Sequence, residues 1–405
     1  MLKPYPYPHE VAIAAILKNE APYVKEWLDY HIAAGVTKFY LYDNESTDNL
    51  ADVLKPYIVR DVVEYTWWPG KLMQFPAYND AVSRHKFDCR YLAAIDLDEF
   101  IYPCTGQDIP SVVSDVFTMN EKVGAYAVNW RVFGSAGHIA KDLSRGVLER
   151  FTRRGAKELT DNICVKSIVN PRCVDIFIHP HFAYLYTGKY AVNERGGVVP
   201  FEENKQLSGE KMVINHYMTK SREEFVEKRD RGRSDVIGTR TWEDFERCDV
   251  NDVFDDGILQ YRAKMLTASV SGKSRIPQDV IGTIARDFPA LSNLDLARRL
   301  DDVLAYWFFC RTELPRYVGT GKYYDYYTRL VANAILAAFT VTQDLWQLRL
   351  FLRMAPEVLP EYKELIMPCV GKILPILTNY YAGKRYQREC SELERLRQFC
   401  QVACG

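Results

Sequence analysis

The sequence has almost no net charge, and this absence narrows the partners that the protein can bind. Its 405 residues include 52 Lys and Arg against 53 Asp and Glu, which gives a formal net charge of −1 at pH 7. Proteins that bind nucleic acid carry a surplus of basic residues, because they neutralise phosphates. The balanced charge therefore leads us to expect no nucleic acid partner. A chain of 405 residues is also too long for one ordinary hydrophobic core, so we expect two domains.

Long apolar runs and cysteine frameworks are also missing. The longest apolar stretch, residues 331–341, is shorter than the ~20 residues that cross a bilayer, and the opening letters MLKPYPYPHE contain no apolar signal core. The ten cysteines form no CxxC pair and no zinc-like spacing. We therefore predict reduced thiols and a cytoplasmic location, with attachment to the inner face of the membrane left open.

Two common nucleotide-binding signatures are absent as well. The sequence contains neither GxGxxG nor GxxxxGK(S/T). We therefore expect neither a nicotinamide cofactor nor P-loop binding of ATP.

Continuous apolar runs of strand length alternate with helical patterns over the first hundred residues. The predicted strands cover residues 11–17, 38–43, 62–68 and 91–95. Strands that alternate with helices at this spacing indicate an α/β fold with a mostly parallel sheet. In such sheets ligands bind beyond the carboxyl ends of the strands. The polar segments 18–20, 43–44 and 96–98 all follow strand ends, which is the first indication of a site.

The pattern changes after residue 123 and again near residue 250. Short predicted strands, including GVLERF (146–151), indicate an antiparallel extension up to about residue 217. The letters SREE (221–224) form a capping box that opens a charged helix running to about Arg233. Helical patterns dominate the remainder. We therefore predict a sheet domain over residues 1–250 and an all-helical domain over residues 251–405.

The letters YLAAIDLDEFIYP (91–103) end an apolar strand on three acids, Asp96, Asp98 and Glu99. Two carboxylates about 4 Å apart repel by roughly 4 kcal/mol at an effective dielectric near 20, so a positive group should offset them. Alternate residues of a strand point the same way, which predicts that Asp96 and Asp98 share a face. Such a pair suits Mg²⁺ or Mn²⁺ bound to phosphate oxygens. A turn cap and a surface ion pair explain the two aspartates equally well.

Two enzyme classes place acids in this way. Haloacid-dehalogenase-like phosphatases use the first Asp as a nucleophile, here Asp96, but Phe100 stands where they carry Thr or Val. Nucleotide-sugar glycosyltransferases use the pair to hold a divalent ion on the donor diphosphate. A third hypothesis is a non-catalytic glycan-binding protein that kept the fold.

Eight segments in one order resemble those of a known family. They are ILKNE, YDNESTDN, WWPGKLMQFPAYNDA, AAIDLDEFIYP, NWRVFGSAGH, LERFTRR, VKSIVNP and INHYMTKSREEFVEKRDRGRSD. Over about residues 9–250 the chain resembles the family 92 (DUF23-like) glycosyltransferases, close to bacterial family-2-type enzymes of the GT-A fold. The resemblance implies a Rossmann-like mixed sheet flanked by helices. It also implies an inverting transfer of a hexose from a nucleotide donor.

The same resemblance implies a metal site and a donor site. By motif, Asp98 would ligate Mn²⁺ or Mg²⁺, Asp96 would bind the metal or the ribose, and His216 would reach the same ion. The family's nucleotide pocket, for a UDP-sugar such as UDP-galactose, would use Asn19, Glu20, Asp43 and Asn44. In the charged helix after the histidine, Lys228 and Arg231 are candidates to screen the diphosphate.

An inverting transfer needs a side chain that takes the proton of the acceptor hydroxyl. Glu149, Glu99 and His138 are candidates for this base, and their spacing in the sequence does not decide among them. Trp130 and Phe133 could stack on a sugar ring or belong to the core. We expect a glycan or glycolipid acceptor in surface polysaccharide synthesis. The helical region after residue 250 offers a surface for a membrane or a homodimer.

Overall fold

The structure is a computed structural model that describes residues 7–186 and 188–267, and beyond them the single positions 292, 302, 305, 371, 374, 375, 378, 379, 394 and 398. The described strands are β1 (His9–Leu17), β2 (Lys38–Asp43), β3 (Val63–Trp67), β4 (Cys89–Ala94), β5 (Glu99–Pro103), β6 (Val123–Val132), β7 (Arg153–Arg154), β8 (Val165–Val169), β9 (Val174–Phe177), β10 (Ala183–Leu185), β11 (Tyr190–Val192), β12 (Met212–His216) and β13 (Val253–Phe254). The described α-helices are α1 (Ala21–Ala33), α2 (Leu50–Val59), α3 (Gln74–His85), α4 (Ile109–Phe117), α5 (Val147–Arg150), α6 (Arg222–Arg231), α7 (Trp242–Cys248) and α8 (Arg262–Thr267). Short 3₁₀ helices lie at Thr160–Ile163, Pro171–Cys173 and Gly257–Tyr261.

One mixed sheet forms the centre of the described chain. Its strands lie in the order β3-β2-β1-β4-β8-β6-β12-β5, and β11 pairs with β6. The strands β3, β2, β1 and β4 run parallel, whereas β8 is antiparallel to both β4 and β6. The predicted α/β class, with a mixed sheet flanked by helices, is confirmed. The predicted antiparallel extension is confirmed where β8 pairs with β6 and where β12 pairs with β5. It is wrong for the pairing of β6 with β12 and with β11, which is parallel.

Strand β1 shows why the parallel strands are continuous apolar runs. Every residue of Val11–Leu17 is buried. Ile13 packs in a core that includes Trp27 of α1, while Ala14 packs in a second core that includes Tyr78 of α3. Because helices cover both faces of β1, the run Val11–Leu17 contains no polar residue.

The segment GVLERF, predicted as a strand, contains helix α5 instead. The Glu26 carboxylate of α1 accepts hydrogen bonds from Val147 N at 2.6 Å and from Leu148 N at 3.2 Å. These bonds satisfy amide groups that the start of a helix leaves without partners. A side chain 121 residues away in the sequence therefore selects a helical turn here.

Helix α6 begins as predicted, with a capping box. Ser221 Oγ accepts from Glu224 N at 3.2 Å, and Glu224 Oε2 accepts from Ser221 N at 3.1 Å. Glu224 also accepts two hydrogen bonds of 2.8 Å from Arg150 of α5 and one of 2.9 Å from Tyr23 of α1. This buried network fixes α6, which carries the basic residues of the predicted donor site, against α1 and α5.

The contacts of the chain divide it into two compact units, and the sheet lies in the unit of Tyr7–Leu185 and Lys189–Arg275. Tyr261 is buried in this unit, its ring lies 5.4 Å from that of Tyr30, and its hydroxyl donates to Gln107 O at 3.0 Å. These contacts hold the segment around Tyr261 against α1. The rest of the predicted helical domain, with its membrane or dimer surface, lies outside the described residues.

The helices of the described ranges are too short or too polar to cross a bilayer.

Candidate active site

The acids of residues 96–99, called the acid turn below, lie where β4 has ended and β5 begins. The turn is closed by a hydrogen bond of 3.1 Å from Glu99 N to Asp96 O. The expectation that Asp96 and Asp98 share a strand face is therefore wrong, because the chain has already left β4 at this point. The two carboxylates instead meet different partners.

Asp96 is paired with a buried lysine. Lys166 of β8 is fully buried, and its Nζ lies 2.8 Å from Asp96 Oδ2. Asp96 Oδ1 accepts hydrogen bonds from Gln74 Nε2 at 2.7 Å and from Tyr78 OH at 3.3 Å. Burial alone would lower the pKa of Lys166, but Asp96 and Glu99 hold that pKa well above its usual value. Lys166 is thus one cation that offsets the acid turn.

Asp98 faces a second lysine and the predicted metal-binding histidine. Lys228 Nζ donates a hydrogen bond to Asp98 Oδ2 and another to Met218 O at 3.0 Å. His216 Nε2, at the end of β12, lies 3.7 Å from the same aspartate oxygen. Burial favours a higher pKa for Asp98, but Lys228 and His216 hold that pKa well below its usual range. Burial lowers the pKa of Lys228 to about 8, with Asp98 opposing this shift.

Glu99 is fully buried behind the turn. Its Oε1 accepts from Trp130 Nε1 and its Oε2 from Asp96 N, each at 2.8 Å, and Lys166 Nζ lies 3.4 Å from Oε2. Burial raises the pKa of Glu99 to about 8; Lys166 opposes this shift, whereas Asp96 and Asp98 add to it. Glu99 therefore orients Trp130 and the backbone of Asp96 through these two hydrogen bonds.

Asp98 and His216 lie close enough together to contact one divalent ion. A separation of 3.7 Å between Asp98 Oδ2 and His216 Nε2 lets one ion with ligand distances of ~2.1 Å contact both atoms. No group of three His, Cys, Asp or Glu side chains with metal-binding geometry occurs within residues 7–186 and 188–267. Two protein ligands suit an ion that also keeps water and binds substrate phosphates. Lys228 bonds the same carboxylate and would have to move aside.

A cavity of about 600 Å³ opens at the carboxyl ends of β1, β2 and β4, as expected for a sheet of this type. Asp96 and Asp98 of the acid turn lie in its wall, whereas Glu99 does not. The predicted donor-binding residues in this wall are Glu20, Asn44, Asp96, Lys228 and Arg231. Glu20 and Arg231 form an ion pair of 2.6 Å across the cavity edge, and Asn44 Nδ2 donates to the backbone of the segment after β3.

Asn19 and Asp43, also predicted to bind the donor, shape turns and do not line the cavity. Asn19 has a φ of 54° and its Oδ1 accepts from Thr47 N at 2.7 Å. Asp43 Oδ1 accepts from Ser46 N at 2.8 Å. The residue that follows each of them, Glu20 or Asn44, does line the cavity.

The three candidate bases lie away from the wall of this cavity. Glu149 is ion-paired with Arg262. His138 Nε2 lies 3.2 Å from Arg150 O, so its ring is held by the end of α5. Glu99 is buried behind the turn. Their assignment as the base therefore gains no support from the placement of these residues.

The two aromatic residues singled out in the sequence differ in position. Trp130 lines the cavity, and its ring centroid lies 4.2 Å from that of His216. Phe133 is fully buried and cannot contact a sugar.

Sequence reasoning missed two cations of the site. Lys166 stands inside the apolar run of β8, and a lysine in a buried strand is itself a signal that an acid lies nearby. Arg240 lines the cavity and has neither a hydrogen bond nor an ion pair within the described part of the chain. Burial lowers the pKa of Arg240, and Arg231 adds to this effect while Asp98 opposes it. An unpaired guanidinium in a cavity is suited to bind an anion.

Comparison with known proteins places the whole site within one matched region. The family model described as Glycosyltransferase family 92 matches residues 7–249. A glycosyltransferase family 92 protein of Ricinus communis is 28% identical over 225 residues, which covers 55% of this chain and 37% of that protein. A galactan β-1,4-galactosyltransferase of Arabidopsis thaliana is 32% identical over 100 residues, which covers 22% of this chain and 19% of that protein. The chain therefore spans less than half the length of these curated relatives.

Among solved structures, residues 1–349 of S. aureus TarS in complex with UDP are similar at a TM-score of 0.31 and 10% identity, over 82% of this chain and 91% of that chain. At this TM-score the similarity is distant.

Proposed function

The chain belongs to glycosyltransferase family 92, and from this premise we propose that it transfers a hexose, with inversion, from a nucleotide donor to a glycan acceptor. The observation that carries the proposal is the pairing of Asp98 with His216 in the wall of the 600 Å³ cavity, which Lys228 and the unpaired Arg240 also line. In this proposal Asp98 and His216 bind the metal ion, and the neighbouring basic side chains bind the diphosphate that the ion contacts.

The cations of the cavity stabilise the leaving group in this proposal. Arg240 is available to bind the diphosphate, and Arg231 is held in place by Glu20 and by a bond of 2.6 Å to Lys18 O. Cations fixed before the reaction stabilise developing negative charge without a cost of reorganisation. When Mn²⁺ or Mg²⁺ is bound by Asp98 and His216, it neutralises further charge on the diphosphate.

The acceptor hydroxyl needs a proton acceptor, and we assign this role to Asp161. It is a carboxylate of the cavity wall whose ion pair, 3.2 Å to Arg247, is made with a side chain that is 58% exposed. An exposed partner binds weakly, so the carboxylate stays available. Asp161→Asn should lower kcat for transfer at least a hundredfold and leave UDP binding unchanged. Transfer at the unchanged rate would reject this assignment.

A UDP-sugar is the donor that we propose, and UDP-galactose is the first to test. The relative named as a galactan β-1,4-galactosyltransferase supports this choice. The same name supports a polysaccharide acceptor. A glycolipid acceptor and a role in surface polysaccharide synthesis are kept in the proposal as expectations from the sequence. The cytoplasmic location expected from the sequence is kept as part of the proposal, and cell fractionation tests it.

The phosphatase alternative has less support from the site. A nucleophilic Asp96 would need a free oxygen, but both of its oxygens accept hydrogen bonds, from Lys166 and from Gln74. The non-catalytic alternative predicts glycan binding without nucleotide affinity, and the experiment below separates it from transfer.

The experiment is a turnover assay on purified full-length chain with a panel of UDP- and GDP-sugars, with Mn²⁺ or with EDTA. We expect hydrolysis or transfer from one donor only when a divalent ion is present, and its loss in Asp98→Ala. Asp52→Ala is the matched control, because Asp52 is exposed on α2. Turnover that survives both EDTA and Asp98→Ala would reject the proposal.

A further inference from the structure

A row of aromatic rings leads from the cavity wall to the protein surface, and the proposed donor chemistry does not use it. Trp130 lies 4.8 Å from His181, His181 lies 5.1 Å from His179, and His179 lies 5.0 Å from Phe182, between ring centroids. Phe182 lies 5.8 Å from Phe201. These five residues are called the aromatic strip. Trp130 and His181 line the cavity, so the strip continues directly from the site described above.

The inner part of the strip is held in a defined orientation. Ser167 Oγ donates to His181 O at 3.0 Å, and His181 Nδ1 lies 2.8 Å from Val165 O. Because a carbonyl oxygen only accepts, Nδ1 carries the proton and Nε2 is left as an acceptor. Because His181 lines the cavity, its acceptor nitrogen is suited to a hydroxyl group of a ligand.

The outer part of the strip is apolar and open. Phe201 is 54% exposed and Ile178, next to His179, is 51% exposed. Phe182 is buried and supports the rings of His179 and Phe201. Burial and Lys166 lower the pKa of His181 to about 3, so its ring is neutral at physiological pH. The strip therefore offers uncharged ring faces with a few polar edges.

We propose that the aromatic strip binds the acceptor as a neutral glycan chain of several sugars, with its reacting end at Trp130. Sugar rings present C–H faces that pack on aromatic rings and hydroxyl groups that need polar edges, and the strip supplies both. A charged lipid or an acidic glycan would instead require cations along the row. This assignment rests on the proposed function, because it takes the cavity as the donor site.

The test is binding of the purified full-length chain to an array of neutral and acidic oligosaccharides of one to eight sugars. We expect retention of at least one neutral chain, stronger for longer chains, and about tenfold weaker for Phe201→Ala. Phe201→Trp should retain binding, because it keeps a ring. Phe254→Ala is the matched control, since Phe254 is 60% exposed on β13, outside the strip. Thermal melting of each variant verifies that it folds.

Three outcomes would overturn the inference: no neutral glycan retained by the unaltered chain, equal binding by Phe201→Ala, or equal losses in Phe201→Ala and Phe254→Ala. Donor turnover is measured separately on the same preparations. Glycan binding that depends on Phe201 without turnover of any nucleotide sugar would reject the proposed transfer and leave the glycan-binding strip. Turnover of a nucleotide sugar, together with glycan binding that is unaltered in Phe201→Ala, would reject only the glycan-binding role of the strip.

Discussion

Lys166→Met should destabilise the sheet unit, because Lys166 is the buried cation that offsets the acid turn. Methionine keeps the apolar stem and removes the ammonium group, whose nitrogen lies 2.8 Å from Asp96 Oδ2 and 3.4 Å from Glu99 Oε2. At an effective dielectric near 20, the attraction between Lys166 and Asp96 is about 6 kcal/mol. Glu99 adds little to it at pH 7, because burial raises its pKa to about 8 and leaves it mostly protonated. The Asp96 side chain is 35% exposed, so solvent weakens its attraction for Lys166. The variant also avoids the cost of burying the ammonium group.

We therefore expect a loss of about 3 kcal/mol at pH 7, at the low end of values for broken buried ion pairs. For a unit of this size that corresponds to a melting temperature lower by roughly 6–12 °C. Thermal melting of the full-length chain followed by tryptophan fluorescence measures the shift. Lys55→Met is the matched control, because Lys55 is 71% exposed on α2 and should change stability by less than about 0.5 kcal/mol.

The loss should also depend on pH in a defined direction. Burial, opposed by Lys166, raises the pKa of Glu99 to about 8, so the folded chain holds this proton more tightly than the unfolded chain does. The stability that this proton contributes is fully present below the unfolded pKa and is lost as the pH rises through about 8. Without Lys166 the pKa rises further, so the gap between variant and unaltered chain should widen above pH 8. Equal melting of the two chains, or a constant gap from pH 6 to 9.5, would refute this reasoning.

Further substitutions test other parts of the site. Arg240→Gln should raise KM for the UDP-sugar about tenfold with an unchanged melting temperature, since it removes an anion-binding group with no protein partner; an unchanged KM would contradict this. Trp130→Phe should cost about 1–3 kcal/mol in denaturant unfolding, because it leaves Glu99 Oε1 without its donor; a loss below 0.5 kcal/mol would count against that bond. Gly146→Ala should cost about 1–3 kcal/mol, because its Cβ would lie 2.0 Å from Glu26 Oε1; unaltered melting would show that α5 does not depend on this contact.

The parallel half of the fold follows from the sequence because each strand is buried on both faces. Continuous apolar runs identify β1, β2 and β4 within two residues of their ends, and the capping box at Ser221 identifies the start of α6. Local signals suffice where burial or a cap is encoded by neighbouring residues. Local signals do not suffice for α5, because its helical turn depends on Glu26, which is far away in the sequence.

The site was predictable in composition and less so in geometry. The family motifs predicted that Asp98 and His216 reach the same ion, and the structure places His216 Nε2 3.7 Å from Asp98 Oδ2. The partner of Asp96 is Lys166, which comes from a strand 70 residues later, and only the pairing of β8 with β4 shows that they meet. Arg240 carries no local signal, because its position on the cavity wall depends on the path of the chain after α6.

Calorimetry of UDP binding, with Mn²⁺ and with EDTA, tests whether a divalent ion held by Asp98 binds the donor diphosphate. We expect the unaltered chain and Asp52→Asn to bind UDP only when Mn²⁺ is present, and Asp98→Asn to bind it at least tenfold more weakly. UDP binding of equal affinity in EDTA and in Asp98→Asn would contradict this expectation.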